Sequence, residues 1–125
     1  MKSVRTFLMF QGNADQAIQQ YEAWFPACIV VHKAYQEDNK LIAMAVLNIN
    51  GYEILINDSS IQHGFTFTPS TSLFIECDSE EEIQDLTEKL TQDGEILMPL
   101  DHYGFSKKFA WIQDRFGVSW QLNLA

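Results

Sequence analysis

The chain has 125 residues, 46% of them apolar and 13% aromatic, which suits one packed domain rather than a disordered chain. Its formal charge is −9, and its eight Lys and Arg are scattered apart from Lys107-Lys108, so nucleic acid and anionic membrane lack the basic footprint they need. No apolar run approaches a membrane span, and Phe7 to Phe10 is too short for a signal peptide. Cys28 and Cys77 fall inside predicted strands and read as free thiols, so a cytoplasmic protein without disulfides is expected.

Residues 4–10 read as a strand, broken at Gln11-Gly12. Asn13 with Gln16 then forms the pattern of a capping box, and Ala14, Ala17, Ile18, Tyr21, Trp24 and Phe25 fall on one helical face. Pro26 marks the end of that helix or the entry into the next strand. Cys28 to Gln36 is β-branched and aromatic and predicts a strand, and Glu37 to Lys40 is a polar turn. Leu41 to Asn50 and Tyr52 to Asn57 pair around Asn50-Gly51, two residues that tolerate positive φ. Asp58 to Ser70 is a loop whose triplet Phe65-Thr66-Phe67 is expected to lie against something. Ser72 to Cys77 is the next strand, and Ser79 with Glu82 makes a second capping box. The helix that follows buries Ile83, Leu86 and Leu90 and stops at Gly94. Glu95 to Met98 is a short strand ending at Pro99, and Leu100 to Lys107 is irregular. Lys108 to Gln113 and Val118 to Leu124 are the last strands, joined through Asp114 to Gly117.

This order repeats itself after about 65 residues, and such self-similarity defines architecture before any local reading does. Thr6-Phe-Leu-Met-Phe10 and the helix from Asn13 return as Thr71-Ser-Leu-Phe-Ile75 and the helix from Asp78. Asn50-Gly51 to Asn57 returns as Phe116-Gly117 to Asn123. The count is βαβββ twice, an α+β domain over residues 1–125 with module one at about 1–60 and module two at about 70–125. Two helices cover one sheet face, which leaves the other to line a cavity or meet a partner.

The front of the chain carries Phe7 to Phe10, Asn13 to Tyr21, and Phe25. The back carries Phe109-Ala-Trp111-Ile-Gln-Asp114-Arg-Phe116-Gly117-Val-Ser-Trp120-Gln121. With the paired modules, these residues make the whole chain resemble the vicinal-oxygen-chelate superfamily of glyoxalase I, bleomycin-resistance proteins and extradiol dioxygenases. Within it the chain looks like the PhnB-like subgroup, whose members often bear the label demethylubiquinone methyltransferase. The glycines never cluster into the Gly-rich turn that a nucleotide-type cofactor needs, so methyl transfer finds no support. Metal-dependent members place a ligand on the first and last strand of each module. Carried over through the repeat, these positions are Thr6, Ser72, Leu55 and Gln121, none of them an imidazole or a carboxylate. The resemblance therefore implies the fold without its usual metal site. Glu53, two residues before Leu55 on the same strand face, is the carboxylate nearest to that position, and with His63 and His102, which sit in loops able to fold over the cavity mouth, it forms the alternative, atypical metal site.

Strand alternation then assigns Thr6, Leu8 and Phe10 to the cavity face, with Phe7 and Met9 toward the helix. Ser72, Phe74 and Glu76 take that face in module two, and Glu53 and Leu55 correspond to Ser119 and Gln121. The expected ligand-binding set is Thr6, Leu8, Glu53, Leu55, Ser72, Phe74, Trp111, Ser119 and Gln121, aromatic and aliphatic with a few hydroxyl and amide groups. No catalytic constellation and no cofactor emerge. The reading is a small-molecule-binding protein without a metal, homodimeric as the resemblance implies. Its alternative is a metal-dependent lyase, isomerase or transferase acting on a small oxygenated metabolite.

Overall fold

In the computed structural model, which describes residues Met1–Ala125, the chain divides into two units, Met1–Gly64 and Phe65–Ala125. The first contains β1 (Thr6–Phe10), α1 (Ala14–Trp24), β2 (Cys28–Tyr35), β3 (Ile42–Ile49) and β4 (Tyr52–Asp58). The second contains β5 (Ser72–Glu76), α2 (Glu80–Leu90), β6 (Glu95–Asp101), β7 (Lys108–Gln113) and β8 (Ser119–Leu124). No helix is long and apolar enough to cross a membrane.

The first unit is a four-stranded sheet in the order β1-β4-β3-β2, with β1 parallel to β4 and the other pairs antiparallel. Asn50 (φ 50°) and Gly51 (φ 94°) make the tight turn between β3 and β4, as the Asn-Gly pair predicts. Helix α1 packs on β2, β3 and β4 and buries Ala14, Ala17, Ile18, Tyr21 and Trp24. Its N-terminus departs from expectation, because the Asn13 side chain makes no capping bond. Asp58, at the end of β4 and 2% exposed, takes that role. Its Oδ1 accepts from the Gly12 and Ala14 N–H groups at 2.8 and 3.1 Å, and its Oδ2 accepts from Ile42 N–H at 2.9 Å. One buried carboxylate thus ties the helix start to β3 and β4. On the other flank Lys33 and Tyr35 of edge strand β2 hold Asp15 at 3.0 and 2.8 Å. Burial works to raise the Asp15 pKa, but the bonds from Lys33 and Tyr35 and the Lys33 charge outweigh it and hold the carboxyl below its ordinary value.

The second unit repeats the plan in the order β5-β8-β7-β6, with β5 parallel to β8 and α2 on β7 and β8. Here the predicted cap forms: Ser79 Oγ accepts from Glu82 N–H at 3.1 Å, and Glu82 Oε1 accepts from Asp78 N–H at 2.7 Å. The left-handed residue after the helix is Asp93 (φ 56°), not Gly94. Gly94 answers a different demand, since a Cβ there would lie 2.5 Å from the Gln113 carbonyl oxygen. Strand β6 runs through Pro99 to Asp101, past its predicted end. As an edge strand it has one side that needs no N–H for the ladder, and its register shifts between Met98 and Asp101. The β7–β8 turn is held by buried Asp114, which accepts from the N–H groups of Phe116 and Val118 and, at 2.8 Å, from Trp120 Nε1.

Candidate functional site

Register decides which residues share the helix-free face of each sheet. In the second unit Trp120, Leu122 and Leu124 of β8 are buried, with Leu73 and Ile75 of β5 beside the first two. Ser72, Phe74 and Glu76 therefore stand on the opposite face next to Ser119, Gln121 and Asn123, as alternation predicts. Strand β7 adds Phe109, Trp111 and Gln113 to that face.

In the first unit the assignment of β1 is reversed. Thr6, Leu8 and Phe10 pair with Ile54, Ile56 and Asp58, and Leu8 and Phe10 are core residues at 9% and 2% exposure. Phe7 and Met9 instead share the helix-free face with Glu53, Leu55 and Asn57. The repeat itself carries this facing: Thr6 returns as Thr71, so Leu8 and Phe10 correspond to Leu73 and Ile75, which also lie on the covered face. Setting Thr6 level with Ser72 instead shifts β1 by one residue and exchanges its two faces. In space Phe7, paired with Leu55, corresponds to Phe74, paired with Gln121. Thr6 and Leu8 are consequently separated from Glu53 and Leu55, and Thr6 Oγ1 bonds the Tyr52 hydroxyl at 2.9 Å.

The second unit brings four of the expected residues into one network. Ser72 Oγ and Ser119 Oγ lie 2.7 Å apart. Trp111 Nε1 donates to Ser119 Oγ at 2.9 Å, and Gln121 Nε2 donates to Ser72 Oγ at 3.3 Å. Both hydroxyls reach the Pro69 carbonyl, Ser72 at 3.4 Å and Ser119 at 3.3 Å. Two hydroxyl protons serve the serine pair and that carbonyl, so neither serine keeps a proton for a ligand. Gln121 lies between Phe74 on β5 and Trp111 on β7, in a cross-strand row that Met98 of β6 completes. Phe74 is 54% exposed. In the next row Asn123 Nδ2 donates to Glu76 Oε2 at 3.0 Å, and Phe109 lies beneath an aromatic cluster. Phe105 meets Phe109 edge-on at 5.1 Å between centroids, and Tyr103 stacks on Phe105 at 6.1 Å. This cluster was not legible beforehand, although three aromatic residues within seven positions were its available signal.

The corresponding face of the first unit is chemically different. Arg5 holds Glu53 at 3.1 Å, Phe7 stands beside Leu55, and Met9 stands beside Asn57. Asn57 Oδ1 is buried without a hydrogen-bond partner. Farther along the chain, His63 bonds Ser59 Oγ through Nε2 at 2.9 Å, and its backbone N–H donates to Gln11 Oε1 at 2.8 Å. His102 is exposed beyond β6, its N–H bonded to its neighbour Asp101. No three His, Cys, Asp or Glu side chains come together as a group able to hold a metal ion. Neither thiol is poised as a nucleophile. Burial, reinforced by Glu22, pushes Cys28 up to about 11, and burial, reinforced by Glu82, Asp78 and Glu76, pushes Cys77 up to about 12.

Two strand–helix–three-strand units, each a mixed sheet with one covered face, define an α+β protein of the glyoxalase/bleomycin-resistance fold. The sequence matches the family described as 3-demethylubiquinone-9 3-methyltransferase over residues 2–123, and the chain belongs to that PhnB-like family of the vicinal-oxygen-chelate superfamily. It is similar to a PhnB protein from Bacillus cereus, with 44% identity and a TM-score of 0.94 over 99% of this chain and 100% of that one. It shares its fold with protein PA1353 from Pseudomonas aeruginosa, at 22% identity and TM-score 0.83 over 99% and 98% of the two chains. The fold also occurs in the fosfomycin resistance protein FosX of Listeria monocytogenes, complexed with Mn(II) and 1S,2S-dihydroxypropylphosphonic acid (13% identity, TM-score 0.67, 98% and 93% covered). No curated protein matches the chain.

Proposed function

We propose that this protein binds a small organic molecule on the helix-free face of its second unit, and does so without a metal ion. The observation that carries the reading is the Ser72–Ser119–Trp111–Gln121 network beside exposed Phe74. It sets one oriented amide among aromatic surfaces, the make-up of a small-molecule site. The residues here do not fit a divalent cation, because Gln121, Ser72 and Phe74 offer neither imidazole nor carboxylate. In the first unit Phe7 and Leu55 offer none either, and Glu53 is engaged by Arg5. No base stands beside the paired serines, which supports binding over nucleophilic chemistry. The free thiols Cys28 and Cys77 suit the cytoplasm. Exposed Phe65 (62%), with Ile29 (63%) and Val31 (56%) on edge strand β2, supports a homodimer, which sedimentation velocity tests directly.

The deciding experiment is metal analysis of protein purified without a His-tag, followed by thermal-shift titration with Mn, Fe, Ni and Zn and then with a metabolite panel. The expected result is no stoichiometric metal, no metal-induced shift, and stabilisation by organic compounds that Gln121→Leu abolishes. One metal per chain, lost in Glu53→Gln, would overturn the reading in favour of a metal-dependent enzyme.

A further inference from the structure

The hydrogen-bond inventory of the second unit also specifies what kind of molecule its face takes, an inference that rests on the binding reading above. Gln121 donates one N–H to Ser72 Oγ. With the two serine protons serving each other and Pro69, Ser72 can only accept from the amide, so the orientation of Gln121 is set. A primary amide has two donors and an acceptor with two lone pairs, so Gln121 retains an N–H and its Oε1 for a ligand. A glutamine presented this way pairs with a planar edge bearing one acceptor and one donor side by side, as it does with adenine.

The surroundings narrow the class further. The residues that β5, β7 and β8 place on this face include no lysine or arginine and one carboxylate, Glu76, so an anionic ligand meets no counter-charge. Phe74 and Trp111 flank Gln121 on adjacent strands, two strand spacings or about 10 Å from one to the other. The Trp111 indole is anchored by its bond to Ser119 and serves as a fixed wall. A flat bicyclic ring lying along the row covers Phe74 while its edge meets the amide.

We infer that the site selects an uncharged, planar heterocycle carrying a lactam- or amide-type edge, read by Gln121 and stacked on Phe74. Ser72 acts as a positioning residue that orients the amide.

The test compares 2-quinolinone with N-methyl-2-quinolinone, which keeps the ring and carbonyl and loses the donor. Trp fluorescence and isothermal titration give the affinities. The expected result is binding of 2-quinolinone at least about tenfold tighter than its N-methyl analogue, a difference that Gln121→Leu erases. Ser72→Ala narrows the preference between the two compounds, and Phe74→Ala weakens both. In the wild-type protein, 2-quinolinone shifts the Gln121 side-chain amide signals in a ¹H–¹⁵N spectrum, a readout independent of variant folding. Equal affinity for the two probes, or unmoved Gln121 signals, overturns the inference. If other compounds then bind in a manner sensitive to Phe74→Ala, the inference alone falls. If no compound does, the binding reading falls with it.

Discussion

The two units share one backbone plan and use their helix-free faces in opposite ways. In the first, the row positions hold an ion pair, Arg5–Glu53, and then apolar neighbours, Phe7 with Leu55 and Met9 beside Asn57. In the second, the same rows hold the serine pair, Phe74 with Gln121, and Glu76 with Asn123. The first face neutralises its charge internally and keeps one buried acceptor without a partner, Asn57 Oδ1. The second presents an amide whose orientation is set from behind. One sheet plan thus carries different side-chain chemistry in its two copies, as one fold can host unrelated functions.

The buried carboxylates give the comparison its largest handle. Asp58→Ala in the first unit strands the N–H groups of Gly12, Ala14 and Ile42, and a loss of about 3 kcal/mol in urea unfolding is expected. A loss below ~1 kcal/mol would show that water replaces the carboxylate and that the helix start is not fixed by β4. The thiols distinguish the units by pH. Cys28 (about 11) and Cys77 (about 12) are both raised above the ordinary 9.0, so folding favours their protonated forms. Their contribution to stability is complete below pH 9 and is lost as pH climbs through 11 and 12. Iodoacetamide labelling at pH 9 should lag a peptide thiol, with Cys77 slower than Cys28; rapid labelling of Cys77 in native protein would contradict its burial.

Smaller effects sharpen the contrast between the faces themselves. Ser119→Ala removes the acceptor of Trp111 Nε1 and should cost about 1 kcal/mol, accompanied by a shift in tryptophan emission. Unchanged emission would mean that Trp111 is held by packing alone. Arg5→Ala breaks an ion pair whose side chains are 38% and 36% exposed, so its effect should stay below ~1 kcal/mol and vanish at high salt. A larger, salt-insensitive loss would make the first face a structural centre rather than a neutralised surface.

The sequence carried the second unit's face in legible form because β8 alternates cleanly: Ser119, Gln121 and Asn123 on one side, Trp120, Leu122 and Leu124 on the other. Strand β1 offers no such signal. Phe7, Leu8, Met9 and Phe10 are apolar on both faces, so the covered side shows only through the return of Thr6 as Thr71 and through pairing with β4, which is set by contacts distant in sequence. The same distance hid Asp58. The pattern at Asn13 and Gln16 is a sound local cap, but a carboxylate 44 residues from Ala14 displaces it. The Asn50-Gly51 turn and the spans of both helices are legible because their determinants are local. The Tyr103–Phe105–Phe109 cluster was not, since it depends on the path of an irregular loop.

The parallel pairing of first and last strands has a kinetic consequence. Ser72 and Ser119 meet across 47 residues, and Arg5 and Glu53 across 48. Helices and the β3–β4 and β7–β8 hairpins need only short loops to close, whereas these strands must wait for a closure of about fifty residues, the slower step. Strand β5 therefore joins its sheet late, bringing Ser72 and Phe74 with it. If the proposed site binds as inferred, recovery of binding during refolding should trail recovery of helical signal.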